Sequence, residues 1–217
     1  MDKTSALLKA LLASGPLKLD GVTYYMQGGR VRSCKSKRGE KKSRSEGEKN
    51  SSNRFTEVRK MWRVYRRAIG GLPIWKIWAR ETNSPKSDTL FHSVNGGCFR
   101  PGEGVWAFPT FRFSMGTLEA PVITSTERNG WTITLRWEND VDCPKASASD
   151  KVYLGYFYGT LPRSPQFMGN INTHRADGEI TVTIPAADQP DGTPLHLYLF
   201  FGNEKQDRFS PSEYIEV

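Results

Sequence analysis

The stretch PVITSTERNGWTITLRWEN, residues 121 to 139, limits the fold more than any other part of the chain. Asn129-Gly130 offers the left-handed backbone that a tight turn needs, and the flanking residues alternate. Trp131, Ile133, Leu135 and Trp137 fall on one side, and Thr132, Thr134 and Arg136 on the other. Period two around Asn-Gly predicts a β-hairpin with one buried face. The runs KVYLGYFYG, QFMGNINTH, EITVTIP, PLHLYLFFG and SEYIEV follow, with turn residues between them. Six or seven strands within about 100 residues predict a small antiparallel β-sandwich over 117–217.

The first half is written differently. Leu7, Leu8, Leu11 and Leu12 lie at helical spacing and Gly15-Pro16 stops them, which predicts a short helix over 4–13. LKLDGVTYYMQGGRVRS reads as a hairpin turning at Gly28-Gly29. The segment RVRSCKSKRGEKKSRSEGEKNSSNR, residues 30–54, has Val31 as its single clearly apolar residue and is expected to be a basic loop. Asn53 then reads as an N-cap. Behind it Phe55, Val58, Met61, Trp62, Tyr65 and Ile69 recur with helical period, while Arg59, Lys60, Arg63, Arg66 and Arg67 occupy other faces. The aromatic stripe is expected in the core, because burial is what that period serves. Gly70-Gly71 ends the helix, and Pro73 opens a second one holding Trp75 and Trp78. Residues 81–116 read as loops and short strands over a core, given Phe91, Phe99, Trp106, Phe108, Phe111 and Phe113. The expected fold class is therefore α+β, mainly β. Its N-terminal region, 1–116, holds the hairpin, the basic loop 30–54 and the helices 54–80; the sandwich occupies 117–217.

Charge is segregated along the chain. Residues 30–80 contain 17 Lys and Arg against 4 Glu, whereas residues 81–217 contain 11 basic and 17 acidic residues. Such a basic segment favours a polyanionic partner, and a solvated surface loop is the competing explanation. Cys34, Cys98 and Cys143 show no C-x-x-C pair, and His92, His174 and His196 stand apart, so neither a disulfide framework nor a zinc site is expected. Asp140 and Asp142 lack the spacing and central glycine of a calcium loop. No nucleophile elbow, phosphate cradle or dinucleotide fingerprint is present. The expectation is a protein without enzymatic activity, cofactor or metal. MDKTSALLKALLASG lacks an uninterrupted apolar segment, and no stretch has the ~20 apolar residues of a membrane span. A cytoplasmic or virion-associated location follows as the expectation.

EITVTIPAADQPDGTPLHLYLFFGNEKQDRFSPSEYIEV resembles the end of a fibronectin type III or immunoglobulin-like domain, with two late strands and a closing strand after a Ser/Pro bend. Taken in order, GVTYYMQGGRVRS, the helix opening at Asn53-Arg54-Phe55, LFHSVN, FSMGTLEAP, SDKVYLGYFY and FFGNEKQDRFSPSEYIEV resemble a family of uncharacterised Bacteroidota proteins of about this length. In that family the segment after the hairpin is polar, with prolines, threonines and glutamines; here it is rich in Lys, Arg and Ser. The resemblance implies a fold plan and a bacterial or bacteriophage setting, and it brings no catalytic residues.

The expected function is non-enzymatic contact with a polyanion, nucleic acid first, without sequence preference. The expected contact residues are Arg30, Arg32, Lys35, Lys37, Arg38, Lys41, Lys42 and Arg44 in the loop, extended by Arg59, Arg63, Arg66 and Arg67 on the helix. The alternative is an assembly component, such as a bacteriophage virion protein, whose basic arm meets an acidic protein surface in a homo-oligomer or larger particle. A surface adhesion module ranks behind both.

Overall fold

Gly28 and Gly29 have φ of 58° and 73°, the left-handed pair that a two-residue hairpin turn requires. They join β2 (Val22–Gln27) to β3 (Arg30–Lys35), and β1 (Leu17–Leu19) pairs with the other edge of β2. The computed structural model describes residues 9–36, 43–84, 86–138 and 143–217, which belong to two units, Met1–Ser45 and Glu46–Val217. The three-strand meander is the body of the first unit. Residues 9–12 are helical, and residues 4–8 of the expected helix lie outside the described residues. The segment expected as a loop from residue 30 is strand as far as Lys35, because β2 offers it a complete antiparallel partner.

The second unit opens with α1 (Glu46–Ala68). This corrects the expected start: Asn53 lies inside the helix and caps nothing. Glu46 and Glu48 occupy the first turn, where the positive end of the helix dipole favours carboxylates, and Lys49 reaches back to Glu46 at 3.8 Å. Once Val58, Met61 and Tyr65 are docked, each added residue gains a backbone bond at little further entropy loss, so the helix extends through the serines. Next come α2 (Ile74–Glu81) and α3 (Ser87–Asn95). The latter is a second correction: the sequence predicts loops and short strands there. Leu90, Phe91 and Val94 give it an apolar side, and Phe91 is fully buried. A short ladder, β4 (Phe99–Arg100) with β5 (Gly104–Val105), does follow.

The remaining strands are β6 (Ile123–Asn129), β7 (Thr132–Trp137), β8 (Lys151–Tyr158), β9 (Gln166–Met168), β10 (Glu179–Thr183), β11 (Leu195–Gly202) and β12 (Glu213–Glu216). They form two sheets, ordered β10-β7-β6 and β12-β11-β8-β9, with every pairing antiparallel. The fold is thus α+β and mainly β, with several antiparallel sheets.

Period two distributes the core. Val152, Leu154, Tyr156 and Tyr158 of β8, with Leu195, Leu197, Leu199 and Phe201 of β11, meet Ile133, Leu135, Trp137, Ile180 and Val182 of the facing sheet. The intervening residues Tyr153, Phe157, Tyr198 and Phe200 point the other way. They meet Val58, Met61, Tyr65, Ile74, Trp75 and Phe91 of the helices and the aromatics Phe99, Phe108, Phe111 and Phe113. The four-stranded sheet is therefore a middle layer, buried on both faces, which is why its two long strands read as unbroken apolar runs. The helices belong to the same unit as the sheets.

Polar groups inside this core are paired. Tyr198 Oη donates to the Phe108 carbonyl at 2.8 Å. Asn95 Nδ2 donates to the Arg112 carbonyl at 3.1 Å while its Oδ1 accepts the Arg112 N–H at 2.7 Å. Ser212 Oγ accepts the N–H groups of Phe113 and Ser114 at 3.0 and 3.3 Å. Arg175 and Asp150, each with a side chain 2% exposed, form a buried ion pair at 3.1 Å. Arg175 also donates to the Glu119 carbonyl at 2.8 Å and lies over the Phe201 ring at 3.9 Å.

Candidate polyanion-binding surface

The helical repeat places Arg59, Arg63, Arg66 and Arg67 in one stripe of α1, because residues three and four apart share a face. All four are exposed, and none forms an ion pair among the described residues. Lys60, on a neighbouring face, differs. It meets Glu57 at 3.3 Å, and Arg163 approaches the same carboxylate at 3.5 Å. The protein thus neutralises one basic flank of α1 and leaves the other bare.

The bare flank borders two adjoining hollows. The first, of about 270 Å³, is lined by Phe55, Val58, Arg59, Trp62, Arg63, Lys86, Asp88, Thr89 and His92. The second, of about 510 Å³, is lined by Trp62, Arg66, Lys76, Ala79, Arg80, Ser84, Lys86, Ser87 and Asp88. Trp62, Lys86 and Asp88 line both, so together they make one groove between α1 and the two shorter helices. Six cations from three helices or their caps border it: Arg59, Arg63, Arg66, Lys76, Arg80 and Lys86. Asp88 is the one carboxylate among the described lining residues, and its Oδ1 already accepts the Thr89 N–H at 2.9 Å.

The groove also has an aromatic component. Phe55 is 45% exposed and sets its ring edge-on to His92 at 4.6 Å, with Arg59 above it at 5.6 Å. Trp62 is half-buried, stacks on Tyr65 at 5.9 Å, leans on Phe91 at 5.0 Å and has Arg66 over its ring at 5.9 Å. The expected core stripe is thus divided: Val58, Met61, Tyr65 and Ile69 are buried, while Phe55 and part of Trp62 face outward. Burial and, after it, the positive charge of Arg54 hold His92 below the usual histidine range, so the groove's positive charge at neutral pH comes from Arg and Lys.

The structure brings only part of the expected contact set together. Arg59, Arg63 and Arg66 line the groove; Arg67 is exposed on the same helix but outside both linings. Arg30, Arg32 and Lys35 are exposed on β3 in the other unit, where strand alternation puts Arg30 and Arg32 on one face and Lys35 on the opposite one. Arg44 is exposed just ahead of α1. Lys37, Arg38, Lys41 and Lys42 lie outside the described residues, as do Asp140 and Asp142. The sequence pattern alone does not single out Lys76, Arg80 and Lys86. Lys76 and Arg80 stand four apart in IWKIWARE, a usable signal, but Lys86 is the N-cap of a helix that the sequence pattern does not predict.

Among the described residues no group of His, Cys, Asp and Glu is placed to hold a metal ion. No helix among them is long and apolar enough to cross a membrane. The chain matches no protein-family model and no curated protein.

Proposed function

We propose that the chain is a non-enzymatic binding protein that holds a polyanion, nucleic acid above all, without reading its base sequence. The observation that carries this is the groove itself: six cations converge from three separate elements and meet a single acid that is already engaged. Like charges are not gathered for stability, since each raises the energy of the others; a shared anionic partner offsets that repulsion. Each phosphate neutralised also releases condensed counterion, which drives binding at low salt. The remaining basic residues of the expected set, Arg30, Arg32, Lys35, Lys37, Arg38, Lys41, Lys42, Arg44 and Arg67, extend the cationic character of residues 30–80.

As a scaffold, residues 117–217 are read as an immunoglobulin- or fibronectin-like sandwich. The sheet orders β10-β7-β6 and β12-β11-β8-β9 support this. They put the first, second and fifth strands in one sheet and the third, fourth, sixth and seventh in the other.

Fluorescence anisotropy with a labelled oligonucleotide, titrated at several salt concentrations, tests the reading. Retention at low salt is expected, with a log–log salt slope of about −4 to −5 if all six cations each neutralise one phosphate. Reversing Arg59, Arg63 and Arg66 to Glu should abolish it. No retention at low salt, or retention indifferent to the reversals, overturns the proposal. A second reading, an assembly component, draws on the opposite charges of residues 30–80 and 81–217. Concentration-dependent growth in light scattering after nuclease treatment would select it.

A further inference from the structure

We infer that the α1 groove is a single-stranded nucleic-acid site, in which Phe55 and Trp62 stack unpaired bases while Arg59, Arg63, Arg66, Lys76, Arg80 and Lys86 hold the backbone. This rests on the polyanion reading and narrows it to one class of strand. Three features of the groove favour a single strand over a duplex.

The first is concavity. The cations border hollows of about 270 and 510 Å³. Spaces of that size admit individual flat groups, whereas the base pairs of a duplex stay stacked in its interior. The second is the aromatic component on the cationic flank. Phe55 is 45% exposed and Trp62 is half-buried, so rings on the cationic flank are within reach of a flat ligand. An exposed ring bordered by arginines is the arrangement that binds a base face and its phosphate together. The third is rigidity. Trp62 is held by Tyr65 and Phe91, and His92 holds the Phe55 edge, so the ring positions are set before a base arrives; the Arg59 and Arg66 guanidiniums that lie over these rings move towards the phosphates as a base stacks.

Stacking and charge make separable demands, and that separates the tests. A duplex of equal length carries at least as many phosphates but offers no free base faces. Anisotropy is therefore measured on the full chain with an oligo-dT strand, a duplex of the same length, and heparin. The single strand should bind at least 10-fold more tightly than the duplex. Phe55→Ala should weaken single-strand binding by roughly 5- to 160-fold, the range for losing one stacked base, while leaving duplex and heparin binding within about 2-fold. Phe55→Tyr, which keeps the ring, should restore it; circular dichroism and thermal unfolding establish that each variant is folded. Equal binding of all three polyanions, or equal loss across them in Phe55→Ala, overturns this inference and leaves the polyanion reading standing. Binding to none of the three overturns both.

Discussion

Tyr65 Oη donates a 2.7 Å hydrogen bond to the backbone carbonyl of Phe113, 48 residues further along the chain, and accepts one from Trp75 Nε1 at 3.1 Å. One hydroxyl thus ties α1, α2 and the segment entering the sheets into a single polar junction within an apolar surround. Burial drives the Tyr65 hydroxyl far above its ordinary pKa, so it stays a donor at every accessible pH. Tyr65→Phe would leave two buried groups unpaired at about 1–3 kcal/mol each, so a loss of roughly 2–6 kcal/mol is expected in urea unfolding. A loss within about 0.5 kcal/mol would mean the junction contributes little.

Phe113 is also fitted to Gly155 of the middle sheet. A Cβ at Gly155 would stand 2.5 Å from the Phe113 ring, which stacks on Tyr198 at 5.7 Å. Gly155→Ala should therefore destabilise by about 1–3 kcal/mol through overpacking. Adding Phe113→Leu should recover part of that loss, a non-additivity that a double-mutant cycle would measure. Simple addition of the two effects would show that the clash is relieved some other way.

The Arg175–Asp150 pair is asymmetric to mutation. Asp150→Ala would strand a guanidinium that is 2% exposed, for a loss of about 3–5 kcal/mol. Replacing both residues with apolar ones of similar volume should do less damage than the single change, because no charge is then left buried alone. Chemical denaturation of the three variants checks the order.

Stability should also fall with acid in a window set by histidine. His196 stacks on Phe108 at 3.6 Å, and its Nδ1 lies 2.9 Å from Tyr214 Oη, which in turn donates to Glu216 at 2.9 Å. Burial lowers the His196 pKa more than Glu216 raises it, and His92 is lowered as well. The folded state then binds protons less readily than the unfolded chain. The stabilisation is full above the unfolded histidine value of about 6.5 and is lost as pH falls towards the folded value. The melting temperature should drop as pH falls below about 6.5, and His196→Gln should flatten that slope. An unchanged slope in His196→Gln would remove this residue from the account.

The hairpins were readable because Gly28-Gly29 and Gly130 carry their backbone requirement in the residue type, and Ile133, Leu135 and Trp137 carry the period; the second turn is Gly130-Trp131 and not the expected Asn129-Gly130, since Asn129 ends β6 paired with Thr132 and Gly130 alone supplies the positive φ. α1 was readable where Val58, Met61 and Tyr65 repeat, and its start was not. Nothing in EGEKNSS is apolar, and the helix there is extended from a docked segment. α3 went unread because nine residues hold too few periods to stand out. The groove was half legible. Arg59, Arg63 and Arg66 are neighbours through the helical repeat, whereas Lys86 joins them only through the way α3 lies against α1.

Because the sheet of β8 and β11 sits between two cores, residues 117–217 are not a detachable half. Expressed without the helices, they would present Tyr153, Phe157, Tyr198, Phe200 and Phe209 to water as one continuous oily plate. Such a fragment would seek another copy of itself or precipitate, so any shortened form meant to stay monodisperse has to begin ahead of α1.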